Sequence, residues 1–362
     1  MATKQILTAA DQVLNQPTKE FKDGKKHVSI AMQGGGAHGA FAWGVMDRLL
    51  EEDDIYVEGV CGTSAGGMNS AAVVDGLVHG GNAGARAKLD NYWREMVDVA
   101  KISPYKLNPI DKYNKYYNLD RSPGPLMMNF LGGFLSPYQM NPMNYNPFLD
   151  FIRRFFDFQA VRENSEHKIF LGATHVKTGR VKIFSNDQFC ADALMASACL
   201  PFMYQAVQVD GEYYWDGGYI ANPAIYPLIY NCEANDIILI QLTRTHCEEI
   251  PRDHAAIQDR YKEITYNNCL VREMRSIRMI TKMIDAGIIK DNTMKRMNIH
   301  LIKNEDAFRG LNLSSALNTD WDFLQMLKAA GRATADHWLK AHKEKIGTRQ
   351  NTIDEEVFSE FV

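Results

Sequence analysis

The chain has 362 residues, 46% hydrophobic and 23% charged, with a formal net charge of −4 and a pI near 6.2; this length allows one large, elaborated domain. With no excess of basic residues to neutralise phosphates, nucleic acid is excluded as a partner. No run of about 18 apolar residues is present and residues 1–15 lack the apolar stretch of a signal peptide, while six scattered cysteines without a CxxC pair fit a reducing compartment, so a cytoplasmic protein touching membranes at most peripherally is expected.

Residues 1–26 are polar, end in a charged run, and are expected to form a leader ahead of the fold. Residues 27–32 (HVSIAM) are a short β-prone run stopped by Gln33-Gly34-Gly35-Gly36, after which Phe41, Val45, Leu49 and Leu50 recur at helical spacing. The arrangement then repeats: a strand over 55–61, a glycine turn over 62–67 and a helix of small residues over 68–78. Two successive βα units, each with a tight turn after its strand, predict an α/β fold with a mainly parallel sheet covered by helices. Residues 101–148 hold seven prolines and many aromatic residues, a density that excludes long regular elements. Strands are then expected at 168–174, 180–184, 206–209, 213–215, 236–242 and 299–302. Helices are expected near 191–199, over 255–283 and from about residue 319 onward, the last with Trp321, Leu324, Leu327, Gly331, Ala335 and Trp338 on one face. The helix at 255–283 carries Arg260, Lys262, Arg272, Arg275, Arg278 and Lys282, which reads either as a solvated basic face or as a surface for an anionic bilayer. Residues 346–362 read as an acidic tail.

Three local patterns bear chemistry. Gly62-Thr63-Ser64-Ala65-Gly66 fits Gly-x-Ser-x-Gly between an apolar strand and a helix, where a sharp turn presents a serine and the helix amino terminus favours developing negative charge. Gly34-Gly35-Gly36-Ala37-His38-Gly39 lacks the Gly-Lys-Ser/Thr ending of a phosphate loop and the spacing of a dinucleotide fingerprint. It suits an oxyanion hole instead, in which bare backbone N–H groups meet the oxygen that turns negative as Ser64 attacks. Ser64 needs a base. His175, His246, His254, His300 and His337 lie in no motif, and the better candidate is Asp216 in Tyr213-Tyr214-Trp215-Asp216-Gly217-Gly218, whose carboxylate, withdrawn from water, becomes a stronger base. Asp216 also reads as the cap of a β-turn, since Asp before Gly often does this.

A Gly-Gly-Gly-x-x-Gly turn after the first strand, Gly-x-Ser-x-Gly about 30 residues on and a distant Asp-Gly-Gly together resemble the hallmark blocks of the patatin-like phospholipases. Ala196-Ser197-Ala198-Cys199-Leu200-Pro201-Phe202 is similar to the Ala-Ser-x-Ala-x-Pro stretch of that family. The resemblance covers roughly residues 27–243. It implies a patatin-like three-layer fold, a Ser64/Asp216 dyad, an oxyanion hole at Gly34, Gly35 and Gly36, a lipid or phospholipid substrate, and no metal or organic cofactor. The hydrolase domain is then expected over 27–345, with 101–148 as an insertion serving as lid, membrane-touching element or core filling beside the site. His38 stands where the family commonly has Arg or Lys, as a loop-orienting, substrate-sensing or acid–base residue. The same motifs leave open a lysophospholipase, neutral-lipid or thioester hydrolase. They also leave open a lipid-binding protein without turnover, and a nucleotide module on Gly34–Gly39.

Overall fold

In strand β1 (Lys26–Met32), Val28, Ile30 and Met32 join one apolar cluster while Ala31 joins another, because successive side chains of a strand point to opposite faces. Strand β7 (Asp236–Ile240) divides in the same way, with Ile238 and Ile240 on the first face and Ile237 and Leu239 on the second. The computed structural model describes residues 21–247, 249–290 and 294–353. Both faces of the sheet are therefore covered. On the first lie α1 (Gly39–Leu49), α2 (Ala65–Val99) and α5 (Trp321–His342); on the second lies α4 (His254–Asp285), through Leu270, Met274 and Ile277. The three-layer α/β arrangement follows from this two-sided apolar pattern.

The remaining strands are β2 (Ile55–Gly62), β3 (Lys168–His175), β4 (Val181–Phe184), β5 (Val207–Val209), β6 (Glu212–Asp216) and β8 (Asn298–Ile302). Their order is β5-β6-β3-β2-β1-β7-β8, with β4 also paired to β3. Pairing is parallel from β3 across to β8 and antiparallel where β4, β5 and β6 join. Leu171 of β3 pairs with Gly62 of β2 and with Phe184 of β4, while Ala173 pairs with Asp216 of β6 and with Lys182 of β4. Since β4 occupies one edge of β3, β2 and β6 share the other. They run in opposite directions along it, so their carboxyl ends meet head to head.

The helix expected at 68–78 starts earlier, at Ala65, and resumes after a break at Gly80 and Gly81 to reach Val99; Gly81 has φ +60°. Paired glycines end the helical pattern in sequence, but here they only redirect it. Within 101–148 only short helical turns form, the longest at Pro123–Gly132. Residues 1–20 of the expected leader and 354–362 of the expected tail lie outside the described residues. Residues 346–353, which the sequence reading sets apart, line edge strand β8. There Asn351 Oδ1 accepts from the Ile299 amide at 2.7 Å, and Ile346 and Ile353 are buried. This covers an otherwise open strand edge. Among the described residues no helix is long and apolar enough to cross a membrane.

Candidate active site

Ser64 occupies the turn between β2 and α2 with φ +56°, a left-handed conformation that costs a non-glycine residue about 1–3 kcal/mol and persists only where the surroundings enforce it. The enforcement is visible. The Ser64 amide donates to the carbonyl of Ser197 at 2.9 Å and lies 3.2 Å from its hydroxyl, at the end of helix α3 (Ala191–Ser197). Two residues on, the Cys199 carbonyl accepts from the Asp216 amide at 2.8 Å. One short segment, within the block noted in the sequence, thus holds the backbones of both Ser64 and Asp216.

Asp216 ends β6 and is buried. Its Oδ1 accepts from the Gly218 amide at 2.7 Å, and Oδ2 has no partner of full hydrogen-bond geometry. Burial pushes the carboxyl up to about 6, against a smaller opposite pull from the Gly218 amide and the nearby Ser64 hydroxyl. The Tyr266 ring of α4 lies at 3.5 Å from where a Cβ on Gly218 would stand and packs edge-on to Tyr219, with ring centroids 5.6 Å apart. These aromatic rings help keep water from the carboxylate. The turn-cap reading of Asp216 is therefore true of Oδ1 and leaves Oδ2 unaccounted for.

The glycine turn is set by residues that the sequence reading passed over. Asn222 Oδ1 accepts the Gly34 amide at 2.6 Å, and buried Gln33 donates to the Asn222 carbonyl at 3.2 Å and to Asn267 Oδ1 at 3.0 Å while accepting from the amides of Leu242 and Thr243. The amide of Gly34 is thus already engaged, which corrects its expected place among the oxyanion donors. Gly34 is needed for closeness: a Cβ there would stand 2.8 Å from the Ser64 Cβ. Gly35 and Gly36 are partly exposed. Gly36 has φ +58°, and its missing side chain lets Ala316 approach, since a Cβ would come within 2.1 Å of that carbonyl oxygen. Asn222→Ala is expected to lower stability by about 1–3 kcal/mol by leaving a buried amide unpaired. It should also lower kcat on a water-soluble ester roughly tenfold to a hundredfold with little change in KM. Denaturation and steady-state kinetics check both; unchanged kcat would limit Asn222 to a stabilising role.

His38 is engaged by Ser315. Ser315 Oγ donates its hydrogen to the Asn312 carbonyl at 2.6 Å, so in the 2.7 Å contact between His38 Nε2 and Ser315 Oγ the imidazole is the donor. Phe308 and Phe323 pack against the ring, and burial pushes its pKa down to about 4, leaving it neutral near pH 7. Loop orientation fits this geometry. His38→Gln, which keeps a donor for Ser315, is expected to leave the pH dependence of turnover unchanged and to cost about 1 kcal/mol of stability. A displaced acid or alkaline limb in the pH profile would show that the imidazole titrates in the reaction. Of the other histidines, His300 pairs with Asp236 at 2.7 Å in the interior and His175 with Glu212 at 3.2 Å, so both are already engaged.

Ser64 opens onto a cavity of about 460 Å³. Its walls are largely apolar, with Met68, Trp93 and Met96 of α2, Met128 and Phe148 of the insertion, and Leu200 and Phe202 beyond α3. Among the described residues no charged side chain lines it. A serine on a strained turn, a buried carboxylate near its hydroxyl, partly exposed glycines and an apolar chamber together suit acyl transfer from a hydrophobic ester.

The family model described as patatin-like phospholipase matches residues 30–229. Among solved structures, VipD from Legionella pneumophila aligns with 90% of this chain and 70% of its own at 14% identity and a TM-score of 0.41. The ExoU–SpcU complex from the type III secretion system of Pseudomonas aeruginosa aligns with 93% of this chain at 13% identity and a TM-score of 0.35. Only 57% of that second chain is covered, so this chain spans little more than half its length. No match was found among curated protein sequences.

Proposed function

The chain belongs to the patatin-like phospholipase family, whose membership implies a lipid acyl hydrolase, and from that premise we propose that Ser64 and Asp216 cleave the carboxylic esters of phospholipids through an acyl-enzyme. Ser64 Oγ attacks the ester carbonyl while its proton passes to Asp216 Oδ2, and the amides of Gly35 and Gly36 meet the oxyanion. Collapse expels the alcohol, which takes the proton back from Asp216. Water then attacks the acyl-enzyme with the same carboxylate as base, releasing a fatty acid and restoring the serine. The acyl chain occupies the apolar cavity, where no charged side chain among the described residues competes for it.

The observation that carries this reading is the buried Asp216 carboxyl, which has the Ser64 hydroxyl close to it while its Oδ2 stays outside the bond to the Gly218 amide. The supporting experiment is treatment with a fluorophosphonate followed by peptide mass spectrometry. A single adduct on Ser64 is expected; an adduct on another serine, or ester turnover that survives without any adduct, would overturn the assignment.

A further inference from the structure

From Ser122 to Leu149 the chain carries not one Asp, Glu, Lys, Arg or His, in a protein where 23% of residues are charged. This stretch includes the part of the insertion that stands out from the fold. The helix Pro123–Gly132 is held at its start, where Ser122 and Pro125 are buried and Gly124 sits against the Pro104 carbonyl. Beyond that anchor side chains turn outward: on the helix Met127 is 56% exposed and Phe130 68%, and just past its end Phe134 is 76% exposed. The rings of Phe130 and Phe134 pack against each other, with centroids 5.3 Å apart. Large apolar side chains gathered at such exposure mark a surface that meets something apolar.

The patch is continuous with the mouth of the Ser64 cavity. Met128, on the same helix, lines that cavity, as does Phe202, itself 77% exposed. We propose that the uncharged 122–149 segment, through Met127, Phe130 and Phe134, inserts into the surface of a zwitterionic or neutral lipid layer and sets the cavity mouth against it. The proposal rests on the lipid-hydrolase reading for why a lipid surface is met there, and the absence of charge selects the kind of surface. An anionic bilayer recruits lysines and arginines, and this segment has none. Hydrophobic insertion also differs from electrostatic binding in being insensitive to salt.

The test uses the full chain as Ser64→Ala, so that vesicles stay intact, in flotation with phosphatidylcholine vesicles at low and high salt. Binding that salt leaves unchanged is expected. The additional changes Met127→Ser, Phe130→Ser and Phe134→Ser should lower the partition coefficient by about a hundredfold or more. The same three changes in the Ser64 protein should leave turnover of a water-soluble ester within about twofold, while turnover on phosphatidylcholine vesicles falls with the binding. Vesicle binding that survives the triple change would overturn the proposal, as would binding only to anionic vesicles with loss at high salt. So would a dimer that the triple change converts to monomer, which would make a second copy the occupant. Should the wild-type protein bind vesicles but leave the soluble ester uncleaved, the catalytic reading fails and the docking surface stands.

Discussion

Asp216→Asn is expected to lower turnover of a soluble ester by roughly 1,000- to 10,000-fold, or about 4–5.5 kcal/mol of transition-state stabilisation, because the carboxamide cannot take the Ser64 proton. The replacement is nearly isosteric, and its carbonyl oxygen can still accept from the Gly218 amide. In the unaltered protein, kcat/KM should rise as pH passes through about 6 and level off above it, since only the ionised carboxylate acts as base.

The same residue predicts an opposite effect on stability. With a carboxyl pKa near 6 in the fold against 3.8 for the free group, the native state holds its proton where the unfolded chain has lost it. The stability this contributes is fully present below the unfolded value and is lost as pH rises through about 6, a loss on the order of 3 kcal/mol. Asp216→Asn carries no charge to bury, so it should unfold at a higher temperature than the parent near pH 8. About half of that advantage should be gone near pH 5. Calorimetry at the two pH values checks the sign. Turnover kept within tenfold in this variant would mean that the proton leaves Ser64 by another route.

Ser64→Ala should have the larger effect, a loss of about 10⁵-fold or more that brings ester cleavage to background and abolishes fluorophosphonate labelling. The variant should fold normally. The bonds that impose its φ of +56° run from its backbone amide to Ser197, and alanine keeps them. Near-UV dichroism and the unfolding midpoint should therefore match the parent while turnover vanishes. Residual cleavage above that of a heat-denatured control would place the nucleophile elsewhere.

Much of the candidate site was legible because its parts are local. A glycine turn must follow an apolar strand if bare amides are to be presented, and Gly-x-Ser-x-Gly between strand and helix is readable within five residues. Ser197 was legible only as part of a block; its work of holding the Ser64 amide needed coordinates. Asn222, Ser315 and Tyr266 carried no signal. Asn222 meets Gly34 across 188 positions and Ser315 meets His38 across 277, and no periodicity links residues so far apart. The engaged Gly34 amide belongs to this class too: in sequence the three glycines are equivalent, and only the Asn222 side chain separates the first from the other two.

By itself, then, the sequence determined which residues could do chemistry and the local turns that present them, since a strand, a tight turn and a helix start depend on neighbours a few positions apart. It also determined the two-faced apolar strands, and hence a sheet between helices. Only the tertiary structure brings Asp216 beside Ser64. That meeting depends on the register of three strands: Gly62 pairs with Leu171 and Asp216 with Ala173, on one edge of β3 and from opposite directions. Register is fixed by packing across the whole sheet, and a shift of one residue would turn every side chain of the strand to the other face.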